Sequence, residues 1–421
     1  MKILIVGGGG REHAIAWRLA QYPNVELVAA PGNPGIAQVA RCVAAPKAIP
    51  GYAELAKAEK VDLTVVGPEA TLVAGIADEF ARQGMRLVGP TQAAAQLEGS
   101  KIFAKEFFQR AGIPTARSVQ VSTLQEALDN IKCFSLPLVV KADGLAAGKG
   151  VIIAQTLDEA QRAIHLLGPH LVLEEFLEGE EVSFIGIANG IDLIPLAPAQ
   201  DHKRAGDGDT GPNTGGMGAY SDGRILTTNE IRVVRDSIML PALEHMAREG
   251  TPFRGFLYAG LMMTAHGPKI LEFNVRLGDP ETQALLHRID SGFLEALQFA
   301  AGGPAAKLTW KPDPSVCVVM AAKNYPQTPE LGAVIHGIEA AEQTGATVFH
   351  AGTEKRNGQI VTSGGRVLGV TAAGPTLDAA IHHAYDAVSK IHFDCMHYRH
   401  DIGVKGLKRW SSGNLHVGTG V

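Results

Sequence analysis

Three polar side chains alternate with apolar ones in one short stretch of the sequence. Glu272, Asn274 and Arg276 occupy every second position of the segment EFNVR, with Phe273 and Val275 between them. Alternate side chains of a β-strand share a face, so the polar groups should point one way and the apolar pair into the core. Carboxylate and amide oxygens suit Mg²⁺, which also binds phosphates. The pattern predicts a Mg²⁺ site at Glu272 and Asn274; the plainer alternative is a strand with one solvated face.

A glycine-rich loop with two lysines follows another predicted strand. Residues 141–150 read KADGLAAGKG and lie between the apolar segments PLVV and VIIA. A loop of this composition between two strands can fold over phosphate groups and open again. It is not a P-loop, because GxxxxGK[ST] leading into a helix is not present. We therefore expect the loop to cover nucleotide phosphates, and a flexible hairpin is the alternative.

A glycine turn also follows the first apolar segment of the chain. Residues 7–13 read GGGGREH. Such a turn between a strand and a helix exposes backbone N–H groups to an anion at the positive end of the helix. Glu12 stands where a dinucleotide fingerprint would place its third glycine, which disfavours NAD and an oxidoreductase. A mononucleotide or a sugar phosphate is the better candidate, and a tight structural turn is the alternative.

Acidic residues close a further apolar segment, LVLEEFLEGEEV at residues 171–182. Carboxylates at a strand end can hold ribose hydroxyls, while the backbone between them can pair with adenine. Alone, this pattern is more often an ordinary solvated edge, and its weight comes from its position after the glycine-rich loop.

Two loops mix acids, bases, hydroxyls and glycines in a way that a packed core does not require. Residues 201–218 read DHKRAGDGDTGPNTGGMG, and residues 278–283 read GDPETQ directly after Arg276 and Leu277. We interpret them as parts of a site, with a disordered surface loop as the alternative for the first.

The elements that position these motifs predict an α/β protein. Strands near residues 2–6, 25–30, 61–69 and 85–91 alternate with helices, which is typical of a doubly wound parallel sheet. Ligands of such sheets bind at the carboxyl ends of the strands, so GGGGREHA, PGNPG and GPE should share a site. We predict three domains: residues 1–100, residues 101–323 with a lid lobe at about 121–188, and a small α+β domain at residues 324–421.

The bulk composition excludes several classes of protein. Hydrophobic residues make up 46% of the 421 and charged residues 19%, which suits a compact fold, and the net charge of −5 comes without a basic patch for nucleic acid. Four separated cysteines predict neither a zinc site nor disulfides. No apolar run reaches the ~18 residues of a membrane span, and the N-terminal run is too short for a signal peptide. We expect a cytoplasmic protein with small-molecule partners, without nucleic acid or membrane.

The motifs together resemble those of the ATP-grasp superfamily, and within it the phosphoribosylamine–glycine ligase (glycinamide ribonucleotide synthetase) family. The matching segments, in order, are GGGGREHA, GNPG, GPE, KADGLAAGKGV, LEGEEVS, QDHKRAGDGDTGPNTGGMGAY, EFNVRLGDPETQ, GTEKRNGQIVTSGGRVLGVTA and HYRHDIG. The resemblance covers residue 1 to about residue 403. The segments around residues 200–220 and 276–281 are specific to the ligase, whereas the glycine-rich loop is not.

The resemblance implies an ATP-grasp core with a small mobile lid lobe and an ATP-dependent ligase of purine synthesis. Glycine would be activated as glycyl phosphate and joined to 5-phosphoribosylamine, which gives glycinamide ribonucleotide, ADP and phosphate. ATP would be the co-substrate and Mg²⁺ or Mn²⁺ the metal. The resemblance leaves the choice between a monomer and a small homo-oligomer open.

The resemblance also implies roles for individual residues. The groups placed at the reaction are Lys141, Arg276, beside the glycine carboxylate, and Asp279. The ATP-binding residues are Lys101, Lys141, Gly148, Lys149, Gly150, Glu174, Glu175, Leu177 and Glu181, with Glu180 as the alternative ribose ligand. The substrate-binding residues are Gly9, Gly10, Arg11, Glu12, His13, Asn33, Glu69, Asp201, Gly215, Gly216 and Arg276. The metal ligands are Glu272 and Asn274.

One departure and three rival functions are left open by the sequence. Many relatives carry a second metal carboxylate on the strand beside EFN, where this chain has Gly260 and Leu261. The metal would then depend on phosphate oxygens and water, or on an acid elsewhere. Another ATP-grasp ligase or a carboxylase is the nearest rival, although residues 201–220 disfavour biotin-dependent carboxylation. A nucleotide sensor without turnover would not need Arg276.

Overall fold

The computed structural model describes residues 1–145 and 150–411 and begins with a five-stranded parallel sheet. Its strand order is β3-β2-β1-β4-β5. The strands are β1 Lys2–Gly7, β2 Glu26–Pro31, β3 Arg41–Cys42, β4 Leu63–Val66 and β5 Leu87–Val88. The helices are α1 Gly10–Leu19, α2 Ile49–Ala58, α3 Glu69–Val73, α4 Ile76–Arg82 and α5 Gln96–Gly99.

Helices cover both faces of this sheet, which confirms the doubly wound prediction. Strand β1 is apolar at successive positions because both of its faces are buried. Ile3 and Ile5 pack with α1, whereas Leu4 and Val6 pack in the cluster that contains α2 and α4. The strand order reverses between β1 and β4, so their carboxyl ends, Gly7 and Val66, flank a crevice of the kind that binds ligands.

A separate lobe follows helix α6, Lys101–Arg110, and has its own hydrophobic core. Its elements are β6 Ser118–Val121, α7 Leu124–Asn130, β7 Leu138–Ala142, β8 Val151–Ala154, α8 Leu157–Leu167 and β9 Leu171–Glu175. The sheet order is β6-β9-β7-β8 and all neighbours are antiparallel. Each helix therefore joins two parallel strands that have another strand between them, so the lobe consists of two interleaved β-α-β units.

The remaining elements build one large antiparallel sheet, small two-stranded sheets and the helices packed on them. The strands and helices are β10 Glu180–Asn189, β11 Asp192–Pro195, β12 Ala199–Asp201, β13 Arg204–Gly206, β14 Thr210–Asn213, β15 Gly218–Ser221, α9 Thr228–Val234, α10 Leu240–Arg248, β16 Arg254–Thr264, β17 Gly267–Asn274, α11 Glu281–Arg288, β18 Ile289–Ser291, α12 Phe293–Ala300, β19 Thr309–Trp310, β20 Ser315–Ala321, α13 Ile338–Glu342, β21 Thr347–His350, β22 Thr353–Arg356, β23 Gln359–Thr362, β24 Arg366–Ala373, α14 Leu377–Val388 and α15 Val404–Ser411. The order of the large sheet is β17-β16-β10-β12-β15-β20-β24-β21, β11 pairs with β10, and the two-stranded sheets are β13-β14, β18-β19 and β22-β23.

The C-terminal strands continue this sheet. Strand β20 pairs with β15 on one side and with β24 on the other, so the sheet runs on across residue 324. Helices α13 and α14 and the hairpin β22–β23 give this part its α+β character. Of the helices in the described ranges, none combines the length and the apolar character that a bilayer crossing requires.

Candidate active site

A cleft of about 1280 Å³ opens between the parallel sheet, the lobe and the large sheet. It collects most of the residues that the sequence predicted for a site. Those that line it are Arg11, Glu69, Lys101, Lys141, Gly150, Glu174, Glu175, Leu177, Glu181, Asp201, Gly215, Glu272, Asn274, Arg276 and Asp279. Gly148 and Lys149 lie outside the described residues.

Strand register places Glu272 and Glu181 on one face of the large sheet. Glu272 of β17 is opposite Gly260 of β16, which in turn is opposite Ser183 of β10. Glu181 is two residues from Ser183 and therefore lies on the same face as Glu272. Glu180 belongs to the other face of β10. Of the two glutamates considered for the ribose, Glu181 is thus the one that shares a face with the predicted metal ligands.

The lysines of the cleft are held by a buried carboxylate. Glu174 Oε2 lies 3.0 Å from Lys141 Nζ, and Glu174 Oε1 lies 3.1 Å from Lys105 Nζ. Lys141 Nζ also donates to the carbonyl oxygen of Leu271 at 3.2 Å. Burial lowers the pKa of Lys105 to about 8. The Glu174 side chain, predicted near the nucleotide, is therefore occupied with the lysines, and it fixes Lys141 at the cleft wall.

The glycine-rich loop is attached at its start to the beginning of α6. Asp143 Oδ1 accepts hydrogen bonds from Ser100 Oγ at 2.9 Å and from the Ile102 N–H at 3.2 Å. Lys101 Nζ donates to the carbonyl oxygen of Gly144 at 2.7 Å. Because these groups surround a helix N-terminus, the Asp143 carboxylate is also favoured by the helix dipole. The loop thus starts from a fixed point beside Lys101.

An apolar region lies at the lobe side of the cleft and offers flat surfaces to a base. Its residues belong to α6, to the lobe and the segment after it, and to β16 and β17, and they are Ala104, Phe108, Val139, Ile153, Phe176, Leu177, Met262 and Leu271. Glu175 and Lys269 form an ion pair of 3.3 Å. An apolar slot beside lysines and ionised acids is the environment that a nucleotide requires, with its base buried and its phosphates paired.

The predicted metal ligands fit a magnesium ion that is shared with phosphates. Burial alone would raise the pKa of Glu272, but Lys203, Lys141 and Lys101 outweigh it and hold that pKa below its usual range, so the carboxylate is ionised. Asn274 Oδ1 accepts from Arg276 at 3.2 Å and retains a second lone pair. Within residues 1–145 and 150–411, no group of three His, Cys, Asp or Glu side chains could enclose a metal by itself. These oxygens therefore suit a hard ion that takes most of its ligands from phosphate and water.

Arg276 joins this half of the cleft to the parallel sheet. Its guanidinium lies 2.9 Å from Glu98 and 3.5 Å from Glu69, and Glu69 lies 3.9 Å from Arg11. Arg11 donates to the carbonyl oxygen of Leu277 at 3.0 Å. Burial opposes the charge of Arg276, but Glu98 and Glu69 outweigh burial and raise its pKa, so it stays protonated. The strand-end motifs of the parallel sheet and the segment after β17 therefore meet at one point.

Several predicted substrate residues are used within the protein and do not line the cleft. The Glu12 carboxylate accepts from the Gly9 N–H at 2.6 Å and from Arg11 Nε at 2.8 Å. His13 Nδ1 accepts from the His350 N–H at 2.7 Å. Asn33 Nδ2 donates to the carbonyl oxygens of Gly8 and His350, and Asn33 Oδ1 accepts from the Ile36 N–H. The structure thus places Glu12, His13 and Asn33 as supports of the glycine turn. Gly9, Gly10 and Gly216 are likewise absent from the cleft lining.

Sequence reasoning missed an arginine that reaches the cleft from β24. Arg366 donates to the backbone carbonyl oxygens of Gly215 and Asp279, each at 2.6 Å, and pairs with the Asp279 carboxylate at 3.1 Å. Tyr325 OH accepts from the Gly215 N–H at 2.9 Å. The segment SGGRVLGV reads as a turn and a strand, and nothing in it separates Arg366 from an ordinary first strand residue. Only the pairing of β24 with β20 brings it here.

A buried glutamate in the GDPETQ loop was also missed. Glu281 Oε1 accepts from Ser183 Oγ at 2.9 Å and from Tyr258 OH at 2.8 Å. These two donors stand on neighbouring strands β10 and β16, on the face that carries Glu272. Burial and the nearby Glu281 raise the pKa of Tyr258 well above its usual range. Glu281 therefore ties the start of α11 to the sheet beneath the cleft.

Three family models match the chain in order. Residues 1–98 match the phosphoribosylglycinamide synthetase N domain, residues 99–282 its ATP-grasp (A) domain and residues 315–405 its C domain. The chain is 48% identical to a phosphoribosylamine–glycine ligase of Xylella fastidiosa over 99% of each chain. It is 49% identical to one of Ralstonia nicotianae, over 97% of this chain and all of the relative.

Solved structures agree with these relatives. The phosphoribosylamine–glycine ligase of Thermotoga maritima superposes with a TM-score of 0.84 at 36% identity, over 96% of this chain and all of that one. The biotin carboxylase domain of Hydrogenobacter thermophilus 2-oxoglutarate carboxylase superposes with a TM-score of 0.70, but at 16% identity, over 93% and 90% of the chains, so it shows the fold alone. Sequence identity over the whole length and the three matched domains show that the chain belongs to the phosphoribosylamine–glycine ligase family.

Proposed function

We propose that the cleft joins the carboxylate of glycine to the amine of 5-phosphoribosylamine, at the expense of ATP, as the glycinamide-forming step of purine synthesis. The observation that carries this proposal is the position of Arg276. It lies between the two metal-ligand candidates on β17 and the strand-end loops of the parallel sheet. A nucleotide held on one side and a sugar phosphate held on the other would therefore meet a small carboxylate at this arginine.

In this scheme the lobe side of the cleft binds ATP. The adenine would lie in the apolar region, with the backbone of Glu175 and Leu177 at its edge and Glu181 at the ribose. Lys101 and Lys141 would hold the phosphates, and the loop that includes Gly148, Lys149 and Gly150 would cover them. Glu174 would serve indirectly, because its carboxylate already holds Lys141.

Glu272 and Asn274 would hold Mg²⁺, or Mn²⁺, together with the nucleotide phosphates. The ion, when bound, would neutralise negative charge on the transferred phosphoryl group. Gly260 stands opposite Glu272, so the neighbouring strand adds no carboxylate at that position. This agrees with a metal that depends on phosphate oxygens and water for its other ligands.

Activation of glycine follows from charge. A carboxylate is a poor electrophile, so one of its oxygens first attacks the γ-phosphorus of ATP and ADP leaves. Lys141 and Arg276 are the protein cations placed to stabilise the charge that develops on the phosphoryl oxygens. The amine then attacks the carbonyl carbon of the glycyl phosphate, and phosphate leaves. The lobe would close over the site to keep water from the acyl phosphate.

The 5-phosphoribosylamine would lie at the crevice of the parallel sheet. Arg11 would face its phosphate, and Glu69 and Asp279 would face its polar groups. Gly9, Gly10, Glu12, His13 and Asn33 would shape this crevice from behind. Asp201, Gly215 and Gly216 would close the glycine side, where Arg366 fixes the Gly215 turn.

We propose the corresponding division of the chain into residues 1–100 for the sugar phosphate, 101–323 for ATP with a lid at about 121–188, and 324–421 to complete the cleft. The family models place their limits at residues 98, 282 and 315. We expect a cytoplasmic enzyme that works as a monomer or a small homo-oligomer.

An omission series tests the function directly. ADP release is measured with ATP, Mg²⁺, glycine and phosphoribosylamine, and then with each component left out. We expect ADP release to require all four. Equal turnover with bicarbonate in place of glycine would refute the ligase proposal in favour of a carboxylase.

A further inference from the structure

Arg276 is held by a glutamate that lies outside all of the motifs discussed above. Glu98 is in the short helix α5, where the parallel sheet passes into α6. Its Oε1 lies 2.9 Å from an Arg276 guanidinium nitrogen, and its Oε2 accepts the Val275 N–H at 2.8 Å. One carboxylate therefore fixes both the tip of the arginine side chain and the backbone next to it.

The other partners of Arg276 hold it less firmly. Glu69 is 3.5 Å away, its side chain is 30% exposed, and Arg11 also competes for it. Asn274 accepts at 3.2 Å and is a predicted metal ligand. The Glu98 side chain, by contrast, is only 7% exposed and both of its oxygens are engaged on the segment after β17. Of these three neighbours, Glu98 is the one with no other task in the cleft.

Fixing this guanidinium has a chemical reason. A cation that stabilises developing phosphoryl charge works best when its orientation is set before the reaction, because turning it during the reaction adds to the barrier. Arginine presents its donors as a planar fork, so the orientation of that plane matters as well as the charge. Without Glu98, the fork would be left with its longer contacts, with Asn274 at 3.2 Å, the carbonyl oxygen of Leu277 at 3.3 Å and Glu69 at 3.5 Å.

We infer that Glu98 is a positioning residue for the ligation: it acts through Arg276, whose guanidinium it aims at the carboxylate and phosphoryl groups that react in the cleft. This inference rests on the proposed role of Arg276. Glu98 itself need not touch a substrate.

Two substitutions of Glu98 separate the effect of its charge from the effect of its side-chain length. Glu98→Gln keeps the volume but loses the charge and one acceptor, whereas Glu98→Asp keeps the charge but is one methylene too short to serve both donors. We expect each to lower kcat at saturating substrates by at least ~10-fold, because a misplaced catalytic group can lose up to ~10² in rate. The matched control is Glu79→Gln, which removes a 2.7 Å ion pair with Arg82 on α4 outside the cleft. It should stay within ~2-fold of the wild type.

A double-mutant cycle tests whether Glu98 acts through Arg276. In an Arg276→Met background, adding Glu98→Gln should change kcat by less than ~2-fold, since there is no guanidinium left to orient. Effects that multiply in the double variant would overturn the inference, as would wild-type kcat in folded Glu98→Gln. Thermal melting identifies any variant that has not folded. If Glu98→Gln does not fold, the kcat of Glu98→Asp decides the test. A wild-type protein that releases no ADP with glycine and phosphoribosylamine would refute the proposed function instead.

Discussion

Several charged side chains in this cleft form ion pairs with one another. Glu174 is buried between Lys105 and Lys141, and Glu98 holds Arg276. Buried charges persist only when they are paired, and removing one partner leaves the other uncompensated. The residues that the motifs predict as ligands therefore fall into two groups. Some face the cleft, and the others hold those cleft-facing side chains in position. The sequence cannot make that division, because strand register and side-chain contacts decide it.

Glu272 belongs to the group that faces the cleft, and its substitution gives a direct test of the metal site. Glu272→Gln keeps the size of the side chain but removes a charge that lies among Lys203, Lys141 and Lys101. We expect kcat to fall by at least ~10²-fold, the scale of losing one electrostatic partner of a transition state. The melting temperature should also fall, because the lowered pKa of Glu272 means that its charge stabilises the folded chain. The control is Glu354→Gln on the exposed hairpin β22–β23. Near-normal turnover in folded Glu272→Gln would place the metal elsewhere.

Three buried histidines and the partly buried His287 should make the protein sensitive to mild acid. Burial lowers the pKa of His13 and His202 to about 3 and that of His287 and His350 to about 4, with neighbouring cations or histidines adding to the effect for all but His350. The unfolded chain binds protons near pH 6.5, so it holds more protons than the folded chain between that pH and the lowered values. The contribution of these histidines to the free energy of unfolding is therefore fully present above pH 6.5. It is lost as pH falls, by up to about 1.4 kcal/mol per histidine per pH unit.

Urea unfolding at several pH values between 7.5 and 5 measures this loss. His287→Asn should make the free energy of unfolding fall less steeply with pH, because one of the four histidines with a lowered pKa is gone. His382→Asn, at an exposed position of α14, is the control and should follow the wild type. If His287→Asn and wild type decline with equal slope, burial of this histidine does not contribute to acid sensitivity.

At the scale of elements, the sequence predicted strands better than it predicted their partners. Apolar runs such as KILIV identify buried strands, and their alternation with helices gives the doubly wound sheet. Residues 201–213 look like loop because they are rich in Gly, Asp and Thr, yet β12 joins the large sheet and β13 pairs with β14. Their pairing depends on neighbours distant in the chain, such as Ala219 opposite Asp201, and local composition carries no record of that.

The attachment of the glycine-rich loop to α6 is a prediction at this scale. Asp143→Ala removes the acceptor for Ser100 Oγ and the Ile102 N–H, and so frees the first residues of the loop from the helix N-terminus. We expect KM for ATP to rise by ~5-fold or more while KM for glycine stays constant. The stability loss should be near that of one helix cap, about 1 kcal/mol. Asp129→Ala, on an exposed turn of α7, is the control. A rise shared equally by both KM values would argue against a specific effect on the nucleotide loop.

At the scale of the whole molecule, one cleft is assembled from parts that lie far apart in the chain. Arg11, Lys141, Arg276 and Arg366 line it although 355 positions separate the first from the last (366 − 11). The motifs predicted Lys141 and Arg276 as site residues. Arg11 was predicted because its loop follows the carboxyl end of a parallel strand. Arg366 had no such signal, because only the pairing of β24 with β20, which lie far apart in the chain, brings it to the cleft. The hydrophobic pattern thus predicted the parallel sheet, and the motifs with the family resemblance predicted most cleft residues, but neither predicted that the large sheet continues past residue 324.

The assembled cleft makes a prediction about one oxygen atom. The candidate metal strand runs directly into the Arg276 segment, so nucleotide phosphates and a small carboxylate can meet there. If glycine is activated as an acyl phosphate, its carboxylate oxygen attacks the γ-phosphorus and becomes the bridge of the mixed anhydride. When the amine attacks the carbonyl carbon, that bridging oxygen departs with phosphate.

Glycine labelled with ¹⁸O in both carboxylate oxygens should therefore transfer one label to inorganic phosphate in each turnover. The other label should remain in the amide of the product, because only one carbon–oxygen bond is broken. A route in which a phosphorylated side chain or amine is hydrolysed, and the carboxylate oxygen leaves as water, would instead give unlabelled phosphate, since no carboxylate oxygen would then bond to phosphorus. Mass spectrometry of the released phosphate distinguishes these routes, with ¹⁸O-free glycine as the baseline. Unlabelled phosphate from labelled glycine would rule out the acyl phosphate even if the ligation itself were established.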